Sequence, residues 1–366
     1  MANLRNIKVL LLFAITLSVI SCTNPSRQST DGLVVVTDML GREVNVPKNI
    51  NKVVCLRAGA LRLLVYLDAV KYTTGIEELE TRTNRPYILA HPELTKLPVI
   101  GPSMGGDAEL IAASRPDVIF ITYTTVGDAN ALQNKTGIPV VALECPDFGV
   151  KRDTLFASLK LMAKVLHKES RADSLILFIN QSIGELNKRS SVIPANKKPS
   201  VYVGGIAYSG AHGIVSTQPF YPPFVFANAN NIASTIDKKL VSHVKGTYID
   251  KEQLMVWNPD IIFIDLSGLK LVREDLAKNT ALYNSLSAVK YDKMFGVLPY
   301  NNYAINYEVV LANAWYVAKV LYPAQFTDIN IEQKADEILT MFLGKGIYKE
   351  LTENTGGYRT LTKDSL

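Results

Sequence analysis

The chain has 366 residues, more than twice the roughly 150 residues of a common domain, so its length favours two lobes over one. Hydrophobic residues make up 48% of the chain and charged residues 20%, a balance that supports a sizeable core and excludes disordered and fibrous proteins. Lysine and arginine exceed aspartate and glutamate only by 39 to 34, without a long basic block, so the charge pattern does not indicate nucleic-acid binding.

The first 21 residues have the pattern of an export signal. Arg5 and Lys8 precede an apolar run from Val9 to Ile20, which is shorter than the roughly 20 residues of a membrane-spanning helix. The Val-Ile-Ser sequence before Cys22 resembles the bacterial lipoprotein box, which implies that Cys22 becomes the lipid-modified first residue of the mature chain. Plain secretion with cleavage nearby is the alternative. Residues 22–32 are polar and predict a flexible tether.

Behind the tether, short apolar runs alternate with helical patterns, which is typical of an α/β fold. The first half predicts a helix at 60–67 and strands at 53–56, 98–100, 118–121 and 138–143. The second half predicts strands at 200–203, 261–264 and 294–298 and helices at 222–229 and 303–321, the last of them ended by Pro323. Between the halves, apolar stripes predict a helical connector at 151–191, whose second piece, from residue 169, would be about 34 Å long.

A sequence repeat divides the chain. Residues 107–121 and 250–264 both read D-x-E-x6-P-D-[VI]-I-F-I, which predicts a short helix that leads into a strand buried on both faces. Because the copies lie too far apart for a solenoid, they indicate two similar α/β lobes. We therefore predict an N-terminal lobe at 33–150 and a C-terminal lobe at 192–366, joined by the helical connector.

The start of the first lobe carries a more specific motif. Residues 37–47 (TDMLGREVNVP) resemble the opening hairpin, D-x-x-G-R-x-V-x-[IV]-P, of solute-binding lipoproteins of ABC importers, in the helical-backbone class that serves ferric siderophores, cobalamin and haem. The resemblance extends over nearly the whole mature chain. It implies two similar three-layer lobes joined by a long α-helix, with a ligand cleft between them, held by a lipid anchor on the outer face of the cytoplasmic membrane. We expect a monomer without a cofactor.

The family resemblance also implies a partner. Members carry one exposed glutamate on each lobe, which enters an arginine pocket of the permease dimer that works with its ATPase subunits. Glu109 and Glu252, the repeated acids, match those positions. A carboxylate in the first turn of a helix stays ionised and can pair with arginine. The alternative interpretation is that both residues only cap their helices.

Ligand-binding residues are expected where strands end, because the cleft of α/β lobes lies beyond the carboxyl ends of the parallel strands. The candidates at or near the strand ends are Arg57, Tyr123, Tyr208, His212, Tyr221, Tyr300 and Tyr303. The family resemblance adds Arg82 and Arg85, whose loop between the first helix and Pro98 often overhangs the cleft in that family. Guanidinium groups pair with oxyanions, and phenol rings offer both a donor and an apolar face. The set therefore predicts an anionic, partly aromatic ligand, although any one tyrosine could be a core residue.

An anionic metal chelate, first of all a ferric siderophore, fits this lining best. Cobalamin, haem, and molybdate or tungstate stay open. Direct metal binding is not expected, since none of His91, His167, His212 and His243 forms a chelating pair with another histidine.

Catalysis is not expected, because motifs such as G-x-S-x-G, C-x-x-C and H-E-x-x-H do not occur. An extracytoplasmic α/β enzyme is the rival class, and a purely structural surface lipoprotein is a third. Cys55 and Cys145 would form either one disulfide or two buried thiols.

Overall fold

The computed structural model describes residues 32–241, 246–353 and 355–362. The predicted export signal at 1–21, the tether apart from its last residue, Cys22 and His243 lie outside the described residues.

Strands and helices alternate along much of the chain. The strands are β1 (Leu33–Thr37), β2 (Glu43–Pro47), β3 (Val53–Leu56), β4 (Thr73–Gly75), β5 (Val118–Ile121), β6 (Val140–Ala142), β7 (Ser200–Gly204), β8 (Ser216–Thr217), β9 (Asn230–Asn231), β10 (Thr247–Tyr248), β11 (Ile261–Asp265), β12 (Met294–Val297) and β13 (Arg359–Thr360). The helices are α1 (Ala60–Tyr66), α2 (Pro86–Ala90), α3 (Ala108–Ala113), α4 (Val126–Thr136), α5 (Arg152–Leu166), α6 (Glu169–Ser190), α7 (Pro222–Phe226), α8 (Lys251–Trp257), α9 (Leu269–Lys278), α10 (Thr280–Tyr283), α11 (Ser287–Lys290), α12 (Tyr307–Leu321), α13 (Ile331–Leu343) and α14 (Tyr348–Thr352).

Two main sheets form the two lobes. The first has the order β4-β3-β5-β6 and is parallel throughout. The second has the order β13-β12-β11-β7-β9 and is parallel except for β13. Strands β3, β5 and β11 are buried along their whole length, as expected for parallel strands that are covered on both faces. The two-lobe α/β fold expected from the sequence is confirmed.

The repeat forms the same unit in both lobes, namely α3 with β5 and α8 with β11. Its Pro-Asp step has a structural role that the sequence pattern did not reveal. The Oδ2 atom of Asp117 accepts hydrogen bonds from the backbone N–H groups of Asn51 and Lys52, at 2.7 and 2.8 Å, just before β3 begins. Asp260 does the same at the start of β7, where it accepts from the N–H and the hydroxyl of Ser200. Asp117 thus joins the start of β5 to the start of β3, and Asp260 joins the start of β11 to that of β7.

The helical connector consists of two helices, α5 and α6. They are separated at His167, which has a left-handed backbone (φ 54°) that ends α5. Helix α6 packs against α5, α12 and α13, and its Ser182 accepts a hydrogen bond from the indole of Trp315 at 2.8 Å. The lobe boundaries at 150 and 191 stay predictions, because the described residues form one continuously packed molecule around α6 and α12.

Two element predictions were wrong. Residues 98–100 form only an isolated bridge between Val99 and Ile76, and the edge strand of the first sheet is β4. Helix α12 begins at Tyr307 and not at 303, because Tyr303 and Ala304 both have left-handed backbones, with φ of 51° and 65°. Among the described helices, none is long and apolar enough to cross a bilayer.

Candidate functional site

Two adjacent cavities open where the strands of both sheets end. We call the larger one, of about 750 Å³, the aromatic cavity, and the smaller one, of about 500 Å³, the arginine cavity. Tyr208, Asn301 and Ala304 line both. The loops that follow β4, β5, β6, β7 and β12 supply most of the walls, so the sequence-based expectation that the site lies at the carboxyl ends of the strands agrees with where these cavities open.

The arginine cavity is polar. Its lining consists of Leu79, Arg82, Arg85, Ala207, Tyr208, Ser209, Gly210, Asn301, Asn302, Tyr303 and Ala304. No aspartate or glutamate occurs among these described lining residues, whose charged side chains are those of Arg82 and Arg85. Arg82 is exposed at the rim, whereas Arg85 is buried. Such a lining can hold an anion through charge-assisted hydrogen bonds.

Buried contacts fix the position of Arg85. Its Nη1 donates to the carbonyl of Leu79 at 2.6 Å and lies 3.4 Å from Oε2 of Glu80. Its guanidinium carbon lies 4.8 Å from the ring centroid of Tyr303. Burial raises the pKa of Glu80, while the hydrogen bond from Tyr87 and the charge of Arg85 oppose that rise. Within the described part of the chain the buried Nε–H of Arg85 has no hydrogen-bond partner.

The aromatic cavity has mainly apolar walls. Its lining consists of Leu40, Tyr123, Thr124, Leu143, Glu144, Cys145, Pro146, Asp147, Val150, Lys151, Tyr208, Gln218, Phe220, Tyr300, Asn301, Ala304 and Ile305. The tyrosine hydroxyl groups are already engaged. Tyr123 donates to the carbonyl of Cys145 at 3.0 Å, Tyr208 to that of Thr217 at 3.0 Å, and Tyr300 to Oε1 of Gln218. The rings therefore offer apolar faces more readily than free donors.

The structure brings six of the nine predicted ligand residues to the cavities and places Arg57, His212 and Tyr221 outside both linings. The guanidinium of Arg57 donates to the carbonyl of Tyr123. The Nε2 atom of His212 lies 2.9 Å from the carbonyl oxygen of Tyr208, beneath the loop that lines the arginine cavity. Tyr221 is fully buried against Tyr300. A direct ligand contact by these three residues stays a prediction.

Sequence reasoning missed several lining residues. They are chiefly Glu144 and Asp147 after β6, Ser209 after β7, Gln218 after β8, and Asn301 and Asn302 after β12. The expectation that ligand residues follow the ends of strands already covered Glu144 and Asp147, because β6 was predicted. Selecting only arginine, tyrosine and histidine at the strand ends excluded them.

Glu109 and Glu252 occupy equivalent places, in the first turns of α3 and α8, and both are exposed. Neither glutamate caps its helix. The capping side chains are Asp107, which accepts from the N–H groups of Glu109 and Leu110, and Asp250, which accepts from that of Gln253. The alternative that both glutamates are capping residues is therefore wrong, and their docking role stays a prediction.

Cys55 and Cys145 are two buried free thiols, so the disulfide alternative is wrong. Burial raises the pKa of Cys145 to about 12, which keeps its sulfur protonated beside the aromatic cavity. Among the described residues, no group of three or more histidines, cysteines and carboxylates is placed to hold a metal ion.

Comparisons with known proteins agree with this architecture. A family described as periplasmic binding protein matches residues 53–299. The molybdate-binding protein MolA of Haemophilus influenzae is 26% identical over 336 residues, which cover 84% of this chain and 90% of that protein.

Solved structures show the same fold. The molybdate-bound structure of MolA has a TM-score of 0.66 at 24% identity, over 86% of this chain and 98% of that one. A periplasmic solute-binding protein from Veillonella parvula has a TM-score of 0.67 at 20% identity, over 88% and 96%. A TroA-like periplasmic binding protein from the same organism, FepB, has a TM-score of 0.62 at 24% identity, over 86% and 97%.

Proposed function

The chain belongs to the periplasmic binding protein family, whose members are the substrate-binding components of ABC importers. From this premise we propose that its ligand is an anion that binds in the arginine cavity. The family implies an extracytoplasmic location and a role in binding rather than catalysis. The observation that carries the proposal is the lining of the arginine cavity, which contains Arg82 and Arg85 and no carboxylate among the described residues.

Molybdate or tungstate is the first candidate. Both are compact dianions, which two guanidinium groups, the Ser209 hydroxyl and the amides of Asn301 and Asn302 can surround with hydrogen-bond donors. MolA, which resembles this chain over most of its length, is a molybdate-binding protein. This order of preference differs from the expectation from the sequence, which placed a ferric siderophore first.

An anionic metal chelate such as a ferric siderophore is the second candidate, and cobalamin and haem are further alternatives. The observation that favours a chelate is the aromatic cavity, whose volume of about 750 Å³ lies in the range of sites for organic ligands. An organic chelate would place its apolar part against Tyr123, Phe220 and Ile305 and its charge toward the arginine cavity.

We also propose a permease partner and a membrane anchor for the protein. The protein, as a monomer, would deliver its ligand to the permease dimer through Glu109 and Glu252. A lipid anchor on Cys22 would hold it to the outer face of the cytoplasmic membrane.

Titration calorimetry with molybdate, tungstate, sulfate and a set of ferric siderophores tests the ligand. We expect micromolar or tighter binding of molybdate and tungstate. Arg82→Gln and Arg85→Lys should each raise the Kd at least about tenfold, because a hydrogen bond to a charged group contributes about 1.5–3 kcal/mol.

Lys135→Gln is the matched control for Arg82→Gln, since it removes an equal charge from an exposed position on α4, outside both cavity linings. Binding of a siderophore alone, with the same loss in the arginine variants, would favour the second candidate. Anion affinity that is indifferent to both arginines would contradict the proposed site.

A further inference from the structure

The segment 300–306, between β12 and α12, forms a wall of both cavities. Tyr303 and Ala304 within it are consecutive non-glycine residues with left-handed backbones. This conformation is unfavourable for residues with a Cβ atom, so surrounding contacts must hold it.

Arg62 supplies such contacts from the other lobe. This residue of α1 is fully buried, and its Nη2 donates to the carbonyls of Tyr303 at 2.8 Å and Asn302 at 3.2 Å. Its Nε donates to Oδ1 of Asn306 at 3.1 Å. The amide of Asn306 in turn donates to the carbonyl of Tyr300 at 3.0 Å, which closes the segment on itself.

Glu77 forms a second attachment. Its Oε2 accepts from the hydroxyl of Tyr303 at 2.9 Å and from the backbone N–H of Arg57 at 2.8 Å, and its Oε1 accepts from the N–H of Gly105 at 2.6 Å. The ring of Tyr303 that is held in this way also lies over Arg85 of the arginine cavity. A buried carboxylate thus connects the segment to two loops of the first lobe.

We propose that Arg62, Glu77, Tyr303 and Asn306 form an interlobe clasp that holds the 300–306 segment in its unfavourable turn and so keeps the anion site formed before the ligand arrives. The inference rests on the proposed function and adds a role for residues behind the cavity wall that Tyr303 helps to form. Arg62, Glu77 and Asn306 lie outside both cavity linings and act as positioning residues.

The clasp makes a quantitative prediction. When the segment is released for part of the time, the apparent Kd rises in proportion to the loss of the competent conformation. We expect Arg62→Lys and Asn306→Ser each to weaken tungstate binding about tenfold, by slowing association and leaving dissociation nearly unchanged. Adding Ala304→Gly should recover part of the loss, because glycine adopts the left-handed conformation without the Cβ penalty.

Hydrogen exchange, followed by mass spectrometry in the ligand-free protein, gives a second readout that does not depend on the ligand. Peptides covering 300–306 should exchange faster in both variants and slow again when Ala304→Gly is added. Arg171→Lys is the matched control, since Arg171 also donates to backbone carbonyls, those of Tyr66 and Met341, and lies outside both cavity linings. It should change neither readout.

The outcomes separate the two proposals. If the wild type binds no anion, the proposed function fails, and the exchange of the 300–306 segment still decides the clasp. Unchanged exchange together with affinities within about twofold of wild type in both variants would overturn the clasp. Faster dissociation with unchanged association would also overturn it, because that result indicates a lost direct contact.

Discussion

Asp265 is a buried carboxyl group at the cleft end of β11. Its Oδ1 accepts from the N–H and the hydroxyl of Ser267, at 2.9 and 2.6 Å, while its Oδ2 has no hydrogen-bond partner among the described residues. Burial raises its pKa from 3.8 to about 7, although the hydrogen bonds from Ser267 oppose the rise. The folded protein therefore binds this proton more tightly than the unfolded chain does.

This difference predicts a pH dependence of stability. The contribution of Asp265 is fully present below about pH 4 and is lost as the pH rises to about 7, where the buried group must ionise. A tenfold change in proton affinity corresponds to about 1.4 kcal/mol, so the loss amounts to roughly 4 kcal/mol. Urea unfolding should show Asp265→Asn gaining stability over the wild type between pH 4 and pH 8. Parallel stability curves for the two proteins would contradict the prediction.

Individual site residues were predictable only in part, as Arg57 shows. The expectation that ligand residues follow the ends of strands correctly placed Arg57 at the carboxyl ends of the strands of the first sheet, directly after β3. It has a left-handed backbone (φ 66°), and its guanidinium donates to the carbonyl of Tyr123, so that Arg57 itself stays outside both cavity linings. Both features depend on tertiary contacts. Arg85, by contrast, does line the arginine cavity. It lies in a loop without helical or strand periodicity, so the pattern of the sequence alone did not place it there.

At the scale of elements, the opening hairpin shows why its motif contains both an aspartate and an arginine. The Oδ1 of Asp38 accepts from the N–H groups of Leu40 and Arg42 in the turn between β1 and β2, and its Oδ2 pairs with the guanidinium of Arg42 at 2.6 Å. The same Oδ2 accepts from the N–H of Ala142 at the end of β6. The motif thus closes the turn and joins the hairpin to the first sheet.

Removing Arg42 should be costly for this reason. Arg42→Met leaves the buried carboxylate of Asp38 without its cation, which typically costs about 3–5 kcal/mol. Urea titrations should show this loss in the free energy of unfolding. Asp38→Asn combined with Arg42→Met should recover part of it, because the amide carries no charge. A loss below about 1 kcal/mol in the single variant would show that the pair contributes little.

Elements with a strong local pattern were predictable, including β3, β5, β11 and both helices of the connector. Residues 98–100 resemble a strand in composition, but they pair only with Ile76, which directly follows the edge strand β4, so Val99 forms an isolated bridge. The start of α12 was missed because contacts of Arg62 and Glu77, from the other lobe, stabilise the turn that precedes it. Such contacts between distant segments have no signal in the local sequence.

At the scale of the whole molecule, the repeat presents two equivalent exposed carboxylates on α3 and α8, and the cavities open at the cleft. Glu109→Arg combined with Glu252→Arg should leave the Kd for the ligand within about twofold of wild type, because neither residue lines a cavity. Uptake of labelled ligand by cells should be abolished, since reversed charges repel an arginine pocket. Lys135→Gln serves again as the control. Normal uptake by the double variant would remove the docking assignment.

The central claim is that an anion binds between the lobes beside Arg82 and Arg85. Anomalous diffraction at the tungsten edge, from crystals soaked with tungstate, tests it most directly. We predict one strong peak in the arginine cavity, within hydrogen-bond distance of both guanidinium groups and next to the 300–306 segment. A peak only outside this cavity, or full occupancy retained in an Arg82→Gln, Arg85→Lys double variant, would contradict the account.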